Sequence, residues 1–198
     1  TYMTDITRAF LDGRKLITSA DGEKLTDAQR TELMGYIDVI SDNWQKVIAE
    51  SVFKYAGSTY KSLVALESVS NADLADEFSK YMKYWGELKG FSMALQVGKN
   101  NIGETATKLN RMIGFGPMLM DETQIVGIKG MTDSSGKYIS SEYEMAKVYT
   151  MHDAKLHMLK VQKLMIDEFG VVAKSNDMLA NMADLASKIG TSESAEND

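Results

Sequence analysis

YWGELKGFSMALQ, residues 84–96, lies inside a longer stretch, Ser70 to Gly98, whose reading decides the fold. Leu74, Phe78, Tyr81, Trp85, Leu88, Ser92 and Leu95 fall at alternating steps of four and three. That spacing lines them along one side of an α-helix and predicts a central helix around which the others pack. Gly86, Gly90 and Ala94 recur every four residues, leaving a second side of the same helix nearly bare. An interior glycine weakens a helix by about 1 kcal/mol against alanine, so the pair needs a reason. Either a neighbouring helix approaches closely, or backbone is left open to a ligand or partner.

Upstream, Ser70 or Asn71 is placed to cap this helix. Before it, Thr26 and Gln29 have the spacing of a capping box. Leu33, Ile37, Ile40, Trp44 and Val47 then continue a helical face, followed by a shifted face through Val52, Tyr55, Ala56, Tyr60, Leu63 and Leu66. A single helix of that length would be about 60 Å long, and Asp42 with Gln45 could restart it, so a break near Ser41 is allowed. Trp44 reads as a buried anchor in preference to a ligand platform. A first helix is expected over Tyr2 to Leu16 with Ile6, Ala9, Phe10 and Ile17 inward. The intervening SADGEKLTDAQ has a calcium-loop look, but aligning Gly22 puts Ile17 and Ala28 at the end ligand positions, which excludes an EF-hand.

Downstream, Gly98 with Asn100 and Asn101 is expected to end the central helix in a left-handed cap. A short helix through Ala106, Leu109, Met112 and Ile113 comes next. GFGPMLMDETQIVGIKGMTDSSGKYIS, residues 114–140, is the least helical region and reads as a long loop with a turn at Asp133–Gly136. Ser141 and Glu144 suggest a second capping box opening a helix to Phe169, with Gly170 beyond its end. Met178, Leu179, Met182, Leu185, Ala186 and Ile189 outline a last amphipathic helix closed by Gly190. Residues 1–190 are read as one helical domain, or the C-terminal part of a larger one, and 191–198 as a disordered acidic tail.

The 198 residues are enough for a real core, and 44% hydrophobic with 25% charged residues argues against wholesale disorder. A single proline favours long helices. Glu193, Glu196 and Asp198 supply half of the formal charge of −6, so the rest is close to balanced. No basic stripe marks nucleic acid or anionic membrane as a partner. No apolar run approaches the ~20 residues of a transmembrane helix. The absence of cysteine removes disulfides, zinc-thiolate sites and a thiol nucleophile. The chain opens at Thr1-Tyr2 already in a helical pattern, so a signal peptide or upstream segment is expected to lie outside it.

Met151, Met158 and Met165 repeat every seven residues, with Met145 one turn earlier, and His152 and His157 share their segment. Thioether and imidazole suit Cu(I) or haem iron, but on a helix the two histidines point about 140° apart. Adaptable core packing explains the methionines more simply. Tyr149 and Ala154 stand three residues before the histidines, so the Glu-x-x-His of di-iron bundles is absent. His-Glu-x-x-His, the serine nucleophile elbow and phosphate-binding glycine loops are also missing. Asp121, Glu122, Asp133, Ser134 and Ser135 could surround a hard cation, although turns and caps account for the same letters.

The string at residues 84–96 closely resembles a signature of the bacterial domain-of-unknown-function family numbered 4856. Its members show a tryptophan, then Glu, Met or Leu, Lys, Gly and Phe, then small residues ending in Leu-Gln. Here these are Trp85, Glu87, Leu88, Lys89, Gly90, Phe91, Leu95 and Gln96. The segment from Trp44 to Tyr60 and TKLNRMIGFGPML at residues 107–119 are also similar to that family, and the match spans roughly residues 26–171. The resemblance implies an exported bacterial envelope protein, periplasmic or on the cell surface and often a lipoprotein, with an imelysin-like helical fold. Imelysin-like relatives are tied to metal acquisition through Gly-x-His-x-x-Glu. Lys155 and Lys160 stand where the glutamate would follow each histidine, so no metal ligand carries over. The family's further N-terminal helical half is not in this sequence.

The resulting expectation is an all-α, up-and-down bundle of five to seven helices with Trp44 and Trp85 in its core. The function expected is a non-catalytic binding domain for a metal, small ligand or partner protein, without cofactor. The alternative is a structural subunit that assembles with itself. Candidate binding residues are Gly86 and Gly90 on the bare helix face and Met118, Met120 and Asp133 in the long loop.

Overall fold

A computed structural model describes residues 1–98, 101–147, 150–173 and 175–183. Five α-helices are present among them: α1 (Tyr2–Ser19), α2 (Asp27–Leu66), α3 (Leu74–Gln96), α4 (Glu104–Ile113) and α5 (Met151–Phe169). Between α4 and α5 lie two antiparallel strands, β1 (Thr123–Thr132) and β2 (Tyr138–Lys147), and a 3-10 turn spans Leu179–Asn181. The protein is therefore mostly helical and not strictly all-α. Residues 114–140 are not one loop, and Ser141 and Glu144 lie in β2 instead of opening a helix. The capping box of α5 forms later, where Thr150 and Asp153 exchange side-chain and backbone hydrogen bonds.

The Thr26–Gln29 box does form, with Thr26 Oγ1 accepting from the Gln29 amide at 3.2 Å and Gln29 Oε1 from the Thr26 amide at 2.9 Å. From it α2 runs 40 residues without a break at Ser41, a rod about 60 Å long. This rod, and not α3, is the common neighbour: α1, α3 and α5 all pack against it, while α3 also meets α4 and α4 meets α5. The ring α2–α3–α4–α5 encloses the core, where Val52, Phe53, Ala56, Leu63, Leu88, Leu95, Leu109, Ile113, Leu159 and Met165 are buried. Met158 joins them and Met151 packs alongside, so the seven-residue methionine repeat is core packing; Met145 is in β2, not a turn earlier on the helix.

Among the described elements, α1 packs on α2 alone. Ile6 and Ala9 are buried there, but Phe10 and Ile17 are exposed. Trp44, on the upstream part of α2, is 51% exposed and lines a shallow groove of about 190 Å³ with Ile40, Ile48 and Ala94. It is not a core anchor, because the last turn of α3, at Ala94 and Leu95, reaches this part of α2 without closing over the indole. Helix ends differ as well. Asp73 is the N-cap of α3, with Ser70 Oγ donating to its carboxylate at 2.7 Å. Val97, at φ −99°, closes α3 without a left-handed glycine at Gly98. Gly170 does end α5 in the left-handed conformation, φ +63°. Met178, Leu179 and Met182 pack on the core through the 3-10 turn. The remaining positions of the expected last helix (Leu185, Ala186, Ile189 and Gly190) and residues 191–198 lie outside the described residues, as does Asn100.

Chain closure on this side depends on Gln162, which is fully buried. Its amide donates to the Phe53 carbonyl at 3.0 Å and the Asn176 carbonyl at 2.6 Å, and its Oε1 accepts from the Met178 amide at 3.0 Å. Gly57 on α2 admits this segment, since a Cβ there would run into the Asn176 carbonyl and sit 2.7 Å from Gln162 Nε2.

Candidate functional site

Residues 84–96, together with Tyr81 just before them, turn out to be a clamp. Tyr81, Trp85 and Lys89 stand one turn apart on α3 and hold the chain that leaves α4. Trp85 Nε1 donates to the Ile113 carbonyl at 3.1 Å and Lys89 Nζ to the Gly114 carbonyl at 2.5 Å, while the Tyr81 hydroxyl accepts from the Met118 amide at 2.9 Å. One turn or two further on, Gln96 and Asn110 exchange amide hydrogen bonds at 3.1 and 3.2 Å. The last carbonyls of a helix have no partner within it, and these side chains supply one. Burial lowers the pKa of the Lys89 ammonium. Trp85 is half-buried against the core, as an anchor for this junction.

The clamp carries a hairpin. The Gly116 amide donates to the Ile125 carbonyl at 3.0 Å, the Leu119 amide to the Thr123 carbonyl at 2.6 Å, and the buried Gln124 side chain to the Gly116 carbonyl at 2.5 Å. Glu122 ties the strand ends together, 2.8 Å from Lys147 Nζ, and accepts from the Met151 amide at 3.4 Å at the start of α5. The Lys147 ammonium holds the Glu122 carboxyl below its usual range, and Glu122 in turn raises Lys147. Asp121 is also lowered, first by the Thr123 hydroxyl and then by its amide.

Beyond this base the ribbon stands clear. Among the described elements, no Cα of either strand lies within 8 Å of a helix Cα. The register pairs Ile125 with Met145, Ile128 with Tyr143, Gly130 with Ser141 and Thr132 with Tyr138, with irregularities at Val126 and Ile139. Directly paired residues share a face and alternate residues oppose it. One face therefore carries Ile125, Ile128, Tyr138, Tyr143 and Met145, and the other Lys129, Met131, Glu142 and Glu144. On the first face Ile128 is 55%, Tyr138 63%, Tyr143 68% and Met145 45% exposed. At the tip Asp133 Oδ1 accepts from the Ser135 amide and hydroxyl at 2.8 and 2.6 Å and from the Lys137 amide at 3.0 Å, bonds that lower its pKa. Gly136 closes the turn at φ +81°.

The five residues singled out from the sequence are not gathered into one site. Gly86 and Gly90 face open space, with nothing among the described residues within 4 Å of an added Cβ, so no described helix approaches them. Met118 is buried in the clamp, Met120 is exposed beside the hairpin base, and Asp133 is occupied at the far tip. The hard-cation reading also separates, since Asp121 and Glu122 sit at one end of ten-residue strands and Asp133–Ser135 at the other, about 30 Å away. His152 is exposed and His157 buried, on different sides of α5. Among the described residues, no group of three or more His, Cys, Asp or Glu could hold a metal ion, and no helix is long and apolar enough to cross a membrane. The hairpin residues were missed by the sequence reading. Their signal was the β-branched and aromatic alternation on either side of the Asp133–Gly136 turn.

Fold and surface together describe a mostly helical protein that holds out a two-stranded ribbon. No family model, no curated protein and no solved structure matches the chain.

Proposed function

We propose that this chain is a non-catalytic interaction domain, that the β1–β2 hairpin is its contact element, and that the partner is a second copy of the chain. The observation that carries this reading is a ribbon of two ten-residue strands, none of whose Cα atoms comes within 8 Å of a described helix Cα, exposing Ile128, Tyr138, Tyr143 and Met145 on one face. A lone two-stranded ribbon is marginal in water, and exposed aromatic, methionine and aliphatic side chains are the composition of interface centres. The face suits its own copy. From Ile125 to Tyr138 it bears no charge, because Lys129, Glu142 and Glu144 lie on the opposite face. Two-fold stacking therefore brings no like charges together. A stable interface buries on the order of 1,200 Å² in total, so each copy would have to contribute about 600 Å².

Light scattering on size-exclusion fractions tests this. The wild-type chain is expected to be about half dimeric at about 0.1 mM, as a contact of ~5.5 kcal/mol gives, and increasingly dimeric above it. Ile128→Lys with Tyr143→Lys is expected to be a monomer of unchanged helicity. A wild-type monomer at that concentration, or a dimer indifferent to both changes, overturns the reading. The resemblance at residues 84–96 supports placing the domain among exported, imelysin-like bacterial envelope proteins, where such assembly would occur outside the cytoplasm. In that setting the motif serves the architecture, since its Trp85, Lys89 and Gln96 hold the end of α4 from which the chain runs to the hairpin.

A further inference from the structure

The side that α1 turns away from α2 has the chemistry of a lipid-facing surface. Residues of an α-helix follow one another round its axis at intervals of about 100°. The side of α1 against α2 is made by Ile6, Ala9 and Gly13, which are buried, with Gly13 packed on Leu33 and Tyr36. Met3, Phe10, Leu11 and Ile17 fall within an arc of about 120° on the outer side. They are 57%, 61%, 60% and 54% exposed. Among the described elements α1 meets only α2, so this apolar arc has no cover.

The charges of α1 are sorted by the same packing. Along the sequence Asp5, Arg8, Asp12, Arg14 and Lys15 alternate in sign, and no basic stripe is legible. Once α1 is seated on α2, its exposed residues include the three cations and no carboxylate. Arg14 stands inside the apolar arc, and Lys15 and Arg8 follow within about 60° of Leu11. Among the described residues none of the three is held in an ion pair. Asp5 and Asp12 are half-buried, beyond Arg8 on the flank next to α2. Exposed carboxylates return only past the end of the helix, at Asp21 and Glu23.

An apolar face flanked by cations is the pattern of a helix lying in the plane of an anionic bilayer, its apolar side chains in the acyl boundary and its cations on the headgroups. Arg14 suits that setting, because its stem lies along apolar surface while the guanidinium extends to headgroup level. The buried centre of a protein interface is instead depleted of charge, and here a cation occupies the centre of the arc.

We infer that the outer face of α1 docks on an anionic lipid surface, with Met3, Phe10, Leu11 and Ile17 inserted and Arg8, Arg14 and Lys15 on the headgroups. This inference uses different residues from the self-association reading, so either can fail without the other.

The test is flotation of the full chain with vesicles of phosphatidylglycerol and phosphatidylcholine in equal parts, against vesicles of phosphatidylcholine alone. Binding is expected to the mixed vesicles, at least about tenfold weaker to the neutral ones, and falling as salt is added. Arg8→Gln with Arg14→Gln and Lys15→Gln, and separately Phe10→Ser with Leu11→Ser, should each weaken it by about tenfold or more while the thermal midpoint stays in place. The chain has no cysteine, so Leu11→Cys can carry a nitrobenzoxadiazole dye, as can Ser134→Cys at the hairpin tip. On the mixed vesicles the dye at position 11 should brighten and shift to the blue, and the dye at position 134 should not. Equal binding to neutral vesicles, indifference to either set of changes, or a dye response at 134 in place of 11 overturns the inference. Absence of flotation also overturns it and assigns the face to a protein partner.

Discussion

Gly57 and Gly90 are the same letter on neighbouring helices with opposite demands. Gly57→Ala puts a methyl against the Asn176 carbonyl and Gln162, and overpacking of this kind typically destabilises by about 1–3 kcal/mol. Gly90→Ala meets nothing within 4 Å and removes the backbone freedom of glycine, so it should stabilise by roughly 0.5–1 kcal/mol. Urea midpoints should move in opposite directions, and a destabilised Gly90→Ala would mean that its face is covered. The sequence marked Gly90 for attention through its regular spacing, whereas Gly57 went unnoticed. A one-letter code records a missing side chain, and the reason for it belongs to whatever stands opposite. The same limit applies to Trp44 and Trp85. Both fit a helical stripe, but among the described residues only Trp85 has a neighbour, the Ile113 carbonyl, to receive its indole N–H.

Among the elements, the hairpin was hardest to read. Its alternation is interrupted at Val126 and Ile139 and thinned by Gly127 and Gly130, and its exposed faces lack the clean inside–outside contrast of a half-buried strand. Ser141 and Glu144 meanwhile imitate a helix start that Thr150 and Asp153 supply in fact. The helices themselves were legible because their apolar spacing persists over many turns. The hairpin also has its own acid sensitivity. Asp121, Glu122 and Asp133 all have lowered pKa values, through Thr123, Lys147 and Ser135 in turn. A carboxylate depressed by folding adds stability above its ordinary unfolded pKa and loses it as pH falls through the lower, folded value. These groups are exposed, so each contribution is small. On acidification below the usual carboxylate range, cross-strand NOEs between Ile128 and Tyr143 should fade while the helical signal at 222 nm remains. Loss of both together would show that hairpin and helices unfold as one unit.

At the scale of the whole molecule, stability is expected to be uneven. The ring α2–α3–α4–α5 shares one core, whereas α1 lies outside it on α2 alone. Leu88 is fully buried, and Leu88→Ala should destabilise by about 2–5 kcal/mol. Exposed Phe10 should tolerate Ala within roughly 0.5 kcal/mol. Amides of α1 and the upstream half of α2 should exchange with solvent well before those near Val52 and Leu88, because local opening there breaks few buried contacts. Equal protection across α2 would mean that α1 is part of the same cooperative unit. The order of helices followed from caps and spacing. Which helix lies at the hub did not, because periodicity defines a face without naming its neighbour.

The hairpin also joins the two parts of the ring that meet across it. Everything up to α4 precedes it in the chain and α5 follows it, yet among the described elements no Cα of its strands lies within 8 Å of a helix Cα. Lys129 and Lys137 lie exposed in it, at the sort of site proteases nick first. Trypsin cleavage there would sever the polypeptide while Gln162, Lys155 and the buried face of α5 remain locked against α2. The two fragments should therefore stay associated after the backbone is cut, and separately produced halves should complement one another into a folded particle.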